Sequence, residues 1–165
     1  MHNESDKGED SGRPSGQRPR AEPGVPARRT ESAAGESALA REFAERALAP
    51  LINDLRGRSG WLEAKRVAST LGMRLDQLAT CLELSKDVLE KSPPPEFLEA
   101  RLEPFAMVIG IVRDVYGGDD RRVRTWLRTP RPELDGQTPL DALCVPAGIQ
   151  RVIHFVLSAW LGNAD

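Results

Sequence analysis

The sequence predicts an all-α protein: a helical bundle with an N-terminal helix-turn-helix region and a C-terminal helical region, preceded by a disordered tail. Three observations predict it. From Glu36 onward, apolar residues recur at spacings of three and four, the signature of one buried helix face. No stretch alternates apolar and polar side chains as a half-buried strand does. Glycine, proline and capping residues punctuate the chain at helical lengths. The 165 residues suit one compact domain or two very small ones. The predicted divisions are a tail over 1–35, a helix-turn-helix region over 36–118 and a second helical region over 119–165.

The tail holds five glycines and four prolines, and its six basic and six acidic residues cancel. Its sizeable apolar side chains are Met1 and Val25 alone, too little to offset the entropy of ordering. The first helix follows, with Leu39, Phe43, Ala47, Leu48, Leu51, Ile52 and Leu55 on one face. Pro50 either kinks this helix or opens a second. A short helix fits Leu62 to Leu71, ended by Gly72. In the next segment Leu75, Leu78, Ala79 and Leu82 form one inner face. Ser85 is placed to cap a further helix with Val88 and Leu89 inside. About three residues separate these two helices, a helix-turn-helix spacing. After Ser92-Pro93-Pro94-Pro95, a long helix from Phe97 to Tyr116 ends at Gly117-Gly118. Asp119 or Asp120 caps a helix carrying Val123, Trp126 and Leu127. A turn-rich loop spans Thr129 to Gln137. Thr138-Pro139-Leu140-Asp141 offers a capping threonine, a proline at the first helical position and a carboxylate that reaches back. The last helix runs from about Pro146 to Leu161 and stops at Gly162.

Charge and composition exclude several classes. The 23 basic and 25 acidic residues leave a net charge of -2. This excludes a globally basic nucleic-acid coat and a strongly acidic solvating chain, while a local basic patch stays open. Cys81 and Cys144 are too few for a disulfide scaffold or a four-thiolate zinc site, and are expected as small buried side chains in a reducing compartment. No apolar run approaches the ~18 residues of a membrane span, and the first residues lack a signal-peptide core. A soluble cytoplasmic protein with no membrane partner is therefore expected. There is no nucleophile–base pair, phosphate-cradling glycine loop or metal cluster. The chain is expected to be no enzyme, with no catalytic residue, metal or cofactor.

Two segments suggest interaction. In a helix-turn-helix, the second helix presents its N-terminal side chains to DNA base edges. Here those are Ser85, Lys86, Asp87 and Lys91, with Glu90 beside them. Two lysines face two carboxylates, so the net charge that drives phosphate binding is missing. A hairpin kept for packing or dimerisation stands as the other reading. In the last helix, Ile149, Val152, Ile153, Phe155, Val156, Leu157, Ala159, Trp160 and Leu161 cover most of the circumference. Only Gln150, Arg151, His154 and Ser158 form a polar stripe. One face is expected on the core and another on a partner, with Trp160 as anchor. Arg124, Arg128, Arg131 and Arg151 either meet acidic groups or phosphates, or form a solvated face.

The C-terminal third carries Trp126-Leu127, Thr129-Pro130, Leu134-Asp135-Gly136 and Thr138-Pro139-Leu140-Asp141-Ala142-Leu143, then Gly148 opening a helix. This pattern resembles the toxin-binding domain of the Xre/MbcA/ParS-type bacterial antitoxins. Counting the helix-turn-helix, the resemblance covers about residues 62 to 162. Two departures stand out: Glu83 occupies a turn position where glycine is common, and Asp87 and Glu90 sit on the second helix.

The resemblance implies the antitoxin of a type II toxin–antitoxin pair. Its cognate toxin would be a RES-domain, NAD-consuming enzyme, neutralised by direct binding. Promoter DNA would be a further partner, through autoregulation, and the assembly a homodimer or a toxin–antitoxin hetero-oligomer. The candidate toxin contacts are Trp126, Arg128, Arg151, His154, Trp160, Leu161, Asn163 and Asp165. The alternative function is a stand-alone helix-turn-helix transcriptional regulator.

Overall fold

The computed structural model describes the backbone of residues 27–162 and the side chains of residues 38–162. Among them are eight α-helices and no strand. These are α1 (Ala27–Ile52), α2 (Ala64–Leu71), α3 (Leu75–Leu82), α4 (Lys86–Glu90), α5 (Glu96–Val115), α6 (Asp120–Leu127), α7 (Pro139–Leu143) and α8 (Pro146–Gly162). Short 3-10 turns occupy Asn53–Leu55 and Pro132–Leu134. No single helix among the described residues is long and apolar enough to cross a membrane.

The central element is α5, which packs against α1, α2, α6 and α8. Leu98, Leu102, Phe105, Val108, Ile109 and Val112 are buried along it. Each such side chain contributes about 1.5–3 kcal/mol by leaving water. Gly110 sets the approach of α1, because a Cβ there would lie 3.0 Å from Ile52 Cγ2 and 3.2 Å from Leu48 Cβ. The inner stripe of α1 is Ala44, Leu48 and Ile52, a spacing of four. This corrects the expected face: Leu39 and Phe43 are 68% and 60% exposed. Phe97 on α5 is also exposed.

The first helix also starts earlier than expected. Residues 27–35, assigned to the tail, form its opening turns. Alanine, arginine and glutamate there are good helix formers, and propensity outweighs the single Gly35. The remainder of the tail, 1–26, lies outside the described residues. Pro50 is accommodated in the last turn of α1, where the helix gives way to the Asn53–Leu55 turn.

Local chemistry sets the other ends as the sequence implies. Gly72 closes α2 with φ +68°. Asp119 caps α6, accepting from the amides of Arg121 and Arg122. That leaves Asp120 for another partner. Thr138 Oγ1 accepts from the Asp141 amide at 3.1 Å and donates to Asp141 Oδ2 at 2.7 Å. Ser85 departs from expectation: it sits at the start of α4 in extended conformation, but its side chain makes no capping bond. Glu83, in the α3–α4 turn, adopts φ +55°, the left-handed region that glycine enters without strain.

Three ties join the elements. Arg113, with a side chain only 7% exposed, bonds Asp54 Oδ1 at 2.7 Å and Asp120 Oδ1 at 2.8 Å. It thereby fastens α5 to the end of α1 and the start of α6. Its hydrogen bonds hold the Asp54 carboxyl below the usual carboxylate range, against the opposing effect of burial. Burial disfavours the charge of Arg113 itself, but the bonds to Asp120 and Asp54 outweigh it and raise its pKa. Second, Arg124 donates to the carbonyls of Thr70 and Ser69, and Arg128 to that of Gly72. These cations sit on the carbonyl end of α2, where a positive charge is favoured. Third, Cys81 and Cys144 are disulfide-bonded, joining α3 to the α7–α8 corner. This corrects the expectation of two separate thiols. Their separation of 63 residues gave no hint that the two positions meet.

Candidate functional site

An apolar groove runs between α5, α6 and α8. Val112 and Val115 come from α5, Trp126 from α6, and Phe155, Ala159 and Trp160 from α8, with Tyr116 at the end. The elements present these side chains because each helix spends its innermost positions on the core. On α6, Val123 and Leu127 are fully buried, leaving Trp126 half-buried at the edge. On α8, Val152, Ile153, Val156 and Leu157 face the core, while Phe155 and Ala159 look into the groove.

The aromatic groups are held in place. Trp126 stacks on Phe155 with ring centres 6.3 Å apart and planes within 10°. The Arg131 guanidinium covers Trp126 at 5.2 Å from the ring centre. A cation over an indole face adds about 0.5–1 kcal/mol at exposed sites. Trp160 donates its indole N–H to Asp114 Oδ2 at 2.8 Å, and its ring lies 6.1 Å from Phe43. Around this rim Phe43, Val115 and Leu161 are exposed apolar side chains.

The groove suits another polypeptide better than a small molecule. It encloses about 170 Å³, short of the ~300–1,000 Å³ of ligand pockets. Its aromatic lining with a polar rim matches the anatomy of protein interfaces. Among the described residues, no group of three His, Cys, Asp or Glu is placed to hold a metal ion.

The expected contact residues separate into groups. Trp126 and Trp160 line the groove, and Leu161 is exposed beyond it. Arg151 pairs with Asp135 at 2.7 Å, and His154 is exposed beside it in a shallow concavity with Glu133 and Ser158. Arg128 lies elsewhere, on the carbonyl end of α2. Asn163 and Asp165 fall outside the described residues. Ser85, Lys86, Asp87 and Lys91 are all exposed on α4 and its ends, away from the groove. Lys86 and Lys65 both approach Glu90 at 3.9 Å.

Sequence reasoning missed Phe43, Val115 and Asp114 as rim residues. The signal for Phe43 was present: it falls one position off the Ala44–Leu48–Ile52 spacing. Nothing in the sequence links Asp114 with Trp160, 46 residues apart.

Residues 112–157 match the family model of the antitoxin Xre/MbcA/ParS C-terminal toxin-binding domain. No curated protein and no solved structure matches the chain.

Proposed function

We propose that this chain, with an antitoxin toxin-binding domain at residues 112–157, is the antitoxin of a type II pair. It neutralises its cognate toxin by binding it directly through the α5–α6–α8 groove. One observation carries this reading: Val112, Val115, Trp126 and Phe155 of the groove lie in the matched segment, with Ile111, Ala159 and Trp160 just outside it. A toxin segment that lays an apolar side chain between Trp126, Phe155 and Trp160 displaces water from all three. Aromatic anchors held in fixed rotamers lose little entropy on binding.

The motif from Trp126-Leu127 to Thr138-Pro139-Leu140-Asp141 supports a RES-domain, NAD-consuming enzyme as the toxin. The exposed apolar rim supports a hetero-oligomer with the toxin or a homodimer as the working state. Autoregulation by promoter binding accompanies the main reading. The solvent-facing Ser85 and Lys86 at the start of α4 support it.

The test is co-expression with the product of the adjacent gene. The chain is expected to copurify with that product and to relieve its growth arrest. Absence of both defeats the reading.

A further inference from the structure

The groove occupies one side of α6, and the opposite side has a different chemistry. At 100° per residue, Arg121, Arg124 and Arg128 fall within an arc of about 60°. Trp126, in the groove, lies roughly 140–200° away from them. All three arginines are exposed. Among the described residues, none of the three has a carboxylate within ion-pair distance. The acids that open the helix are already engaged. Asp119 caps the helix and faces Arg122, and Asp120 bonds the buried Arg113. Residues 121–131 hold five arginines and no acid.

The carbonyls that Arg124 and Arg128 contact fix their direction without cancelling their charge. Those carbonyls belong to Ser69, Thr70 and Gly72, at the α2–α3 turn. Arg74 stands just beyond it, exposed at the start of α3 but paired with Asp76 at 2.9 Å. The stripe thus ends beside the first helix of the α3–α4 hairpin. On α4 itself, Lys86 and Lys91 are balanced by Asp87 and Glu90, with Glu90 3.9 Å from Lys86.

We infer that the Arg121–Arg124–Arg128 face of α6 is a contact surface for the phosphate backbone of double-stranded DNA. When such a hairpin docks on a duplex, its first helix crosses the backbone. The stripe is placed where that backbone passes. From Arg121 to Arg128 it runs about 10 Å, the rise over about three phosphates of one strand. An acidic protein partner fits less well, because the proposed toxin surface lies on the other side of the helix. The inference rests on the promoter-binding reading, adding a second contact surface to it, and is independent of the toxin-binding one.

The full chain is titrated with a short random-sequence DNA duplex across a salt series. Arg121→Glu is the first variant, since the Arg121 side chain makes no hydrogen bond or ion pair among the described residues. It is expected to weaken binding about tenfold and to lower the log–log salt slope by about 1–2. Arg46→Ala, at an exposed cation of α1 outside the stripe, is expected to change affinity less than twofold. Arg128→Gln, with its thermal melt recorded, gives a second reading of the stripe. Toxin copurification is expected to survive Arg121→Glu, and DNA binding to survive Trp160→Ala. The inference is overturned if the wild-type chain ignores the duplex or Arg121→Glu leaves affinity unchanged. It is equally overturned if Arg46→Ala costs more, if polyglutamate or single-stranded RNA binds more tightly than the duplex, or if Arg121→Glu abolishes toxin capture.

Discussion

The groove and helix α4 both present side chains to solvent, but they are built differently. In the groove, Trp126 is fixed between Phe155 and Arg131, and Trp160 by its bond to Asp114. On α4, a helix of five residues, Lys86, Asp87 and Lys91 stand in water, and Ser85 caps nothing. A partner meets a preformed surface in the first case and must order it in the second. The difference teaches where substitutions will be felt: the groove is coupled to folding, whereas the exposed side chains of α4 are not.

Gly148→Ala tests that coupling most severely. A Cβ at Gly148 would lie 2.2 Å from the Ala142 carbonyl oxygen, so the α7–α8 corner must open. We expect a loss of about 3 kcal/mol or more in chemical denaturation, against a change within ~0.5 kcal/mol for Lys86→Ala. Arg113→Ala removes the tie beneath the start of α6. Both carboxylates it leaves reach solvent, so the cost is expected at about 2–3 kcal/mol. Little effect from either substitution would dissolve the distinction between the two regions.

Trp160→Ala sharpens the comparison at the level of binding. The loss of toxin affinity is expected at about 2 kcal/mol by calorimetric titration, with Lys86→Ala near zero. Equal losses would show that α4 shares the interface. Glu83→Gly, in the turn before α4, is expected to stabilise the chain by about 1 kcal/mol, read as a higher melting temperature. That gain would mark strain in the turn leading to α4.

The smallest effect concerns pH. The folded pKa of Asp54 lies below its ordinary 3.8, chiefly through the Arg113 hydrogen bond. Its contribution is therefore complete above the unfolded value and is lost as pH falls through the folded one. Asp54 is largely exposed, and solvent screening limits the effect to roughly half a kcal/mol. Comparing wild type with Asp54→Asn from neutral pH down to below 3.8 isolates it. Glu103 moves the opposite way, raised by burial and then by Glu45 and Glu99, and cancels in that difference. A gap between the two proteins that fails to narrow at low pH would contradict this assignment.

Much of the fold was legible because it is written locally. Gly72, Asp119 and Thr138-Pro139 mark helix ends that the backbone respects, and Val123 with Leu127 gives the inner face of α6. Of the motif between Trp126 and Leu143, Trp126 alone lines the groove. The apolar circumference of α8 made legible that it carries more apolar side chains than the core takes, and Trp160 is one that lines the groove. What escaped was the pairing of distant residues: Cys81 with Cys144, Arg113 with Asp54, Trp160 with Asp114. Sequence periodicity reports which face of a helix turns inward, not what meets it there. For the same reason Arg128 was grouped with the groove, although helical rotation carries it to the other side.

The Cys81–Cys144 bond has a topological consequence. It turns residues 81 to 144 into a closed ring that includes the Ser92–Pro95 segment, Gly117-Gly118 and the 129–137 loop. A protease that nicks any one of these places severs the backbone without parting the molecule. The two pieces stay covalently joined and travel as one band on a gel run without thiol. A second cut within the ring frees only the stretch between the two cuts, and a reductant is needed to part the hairpin from α8.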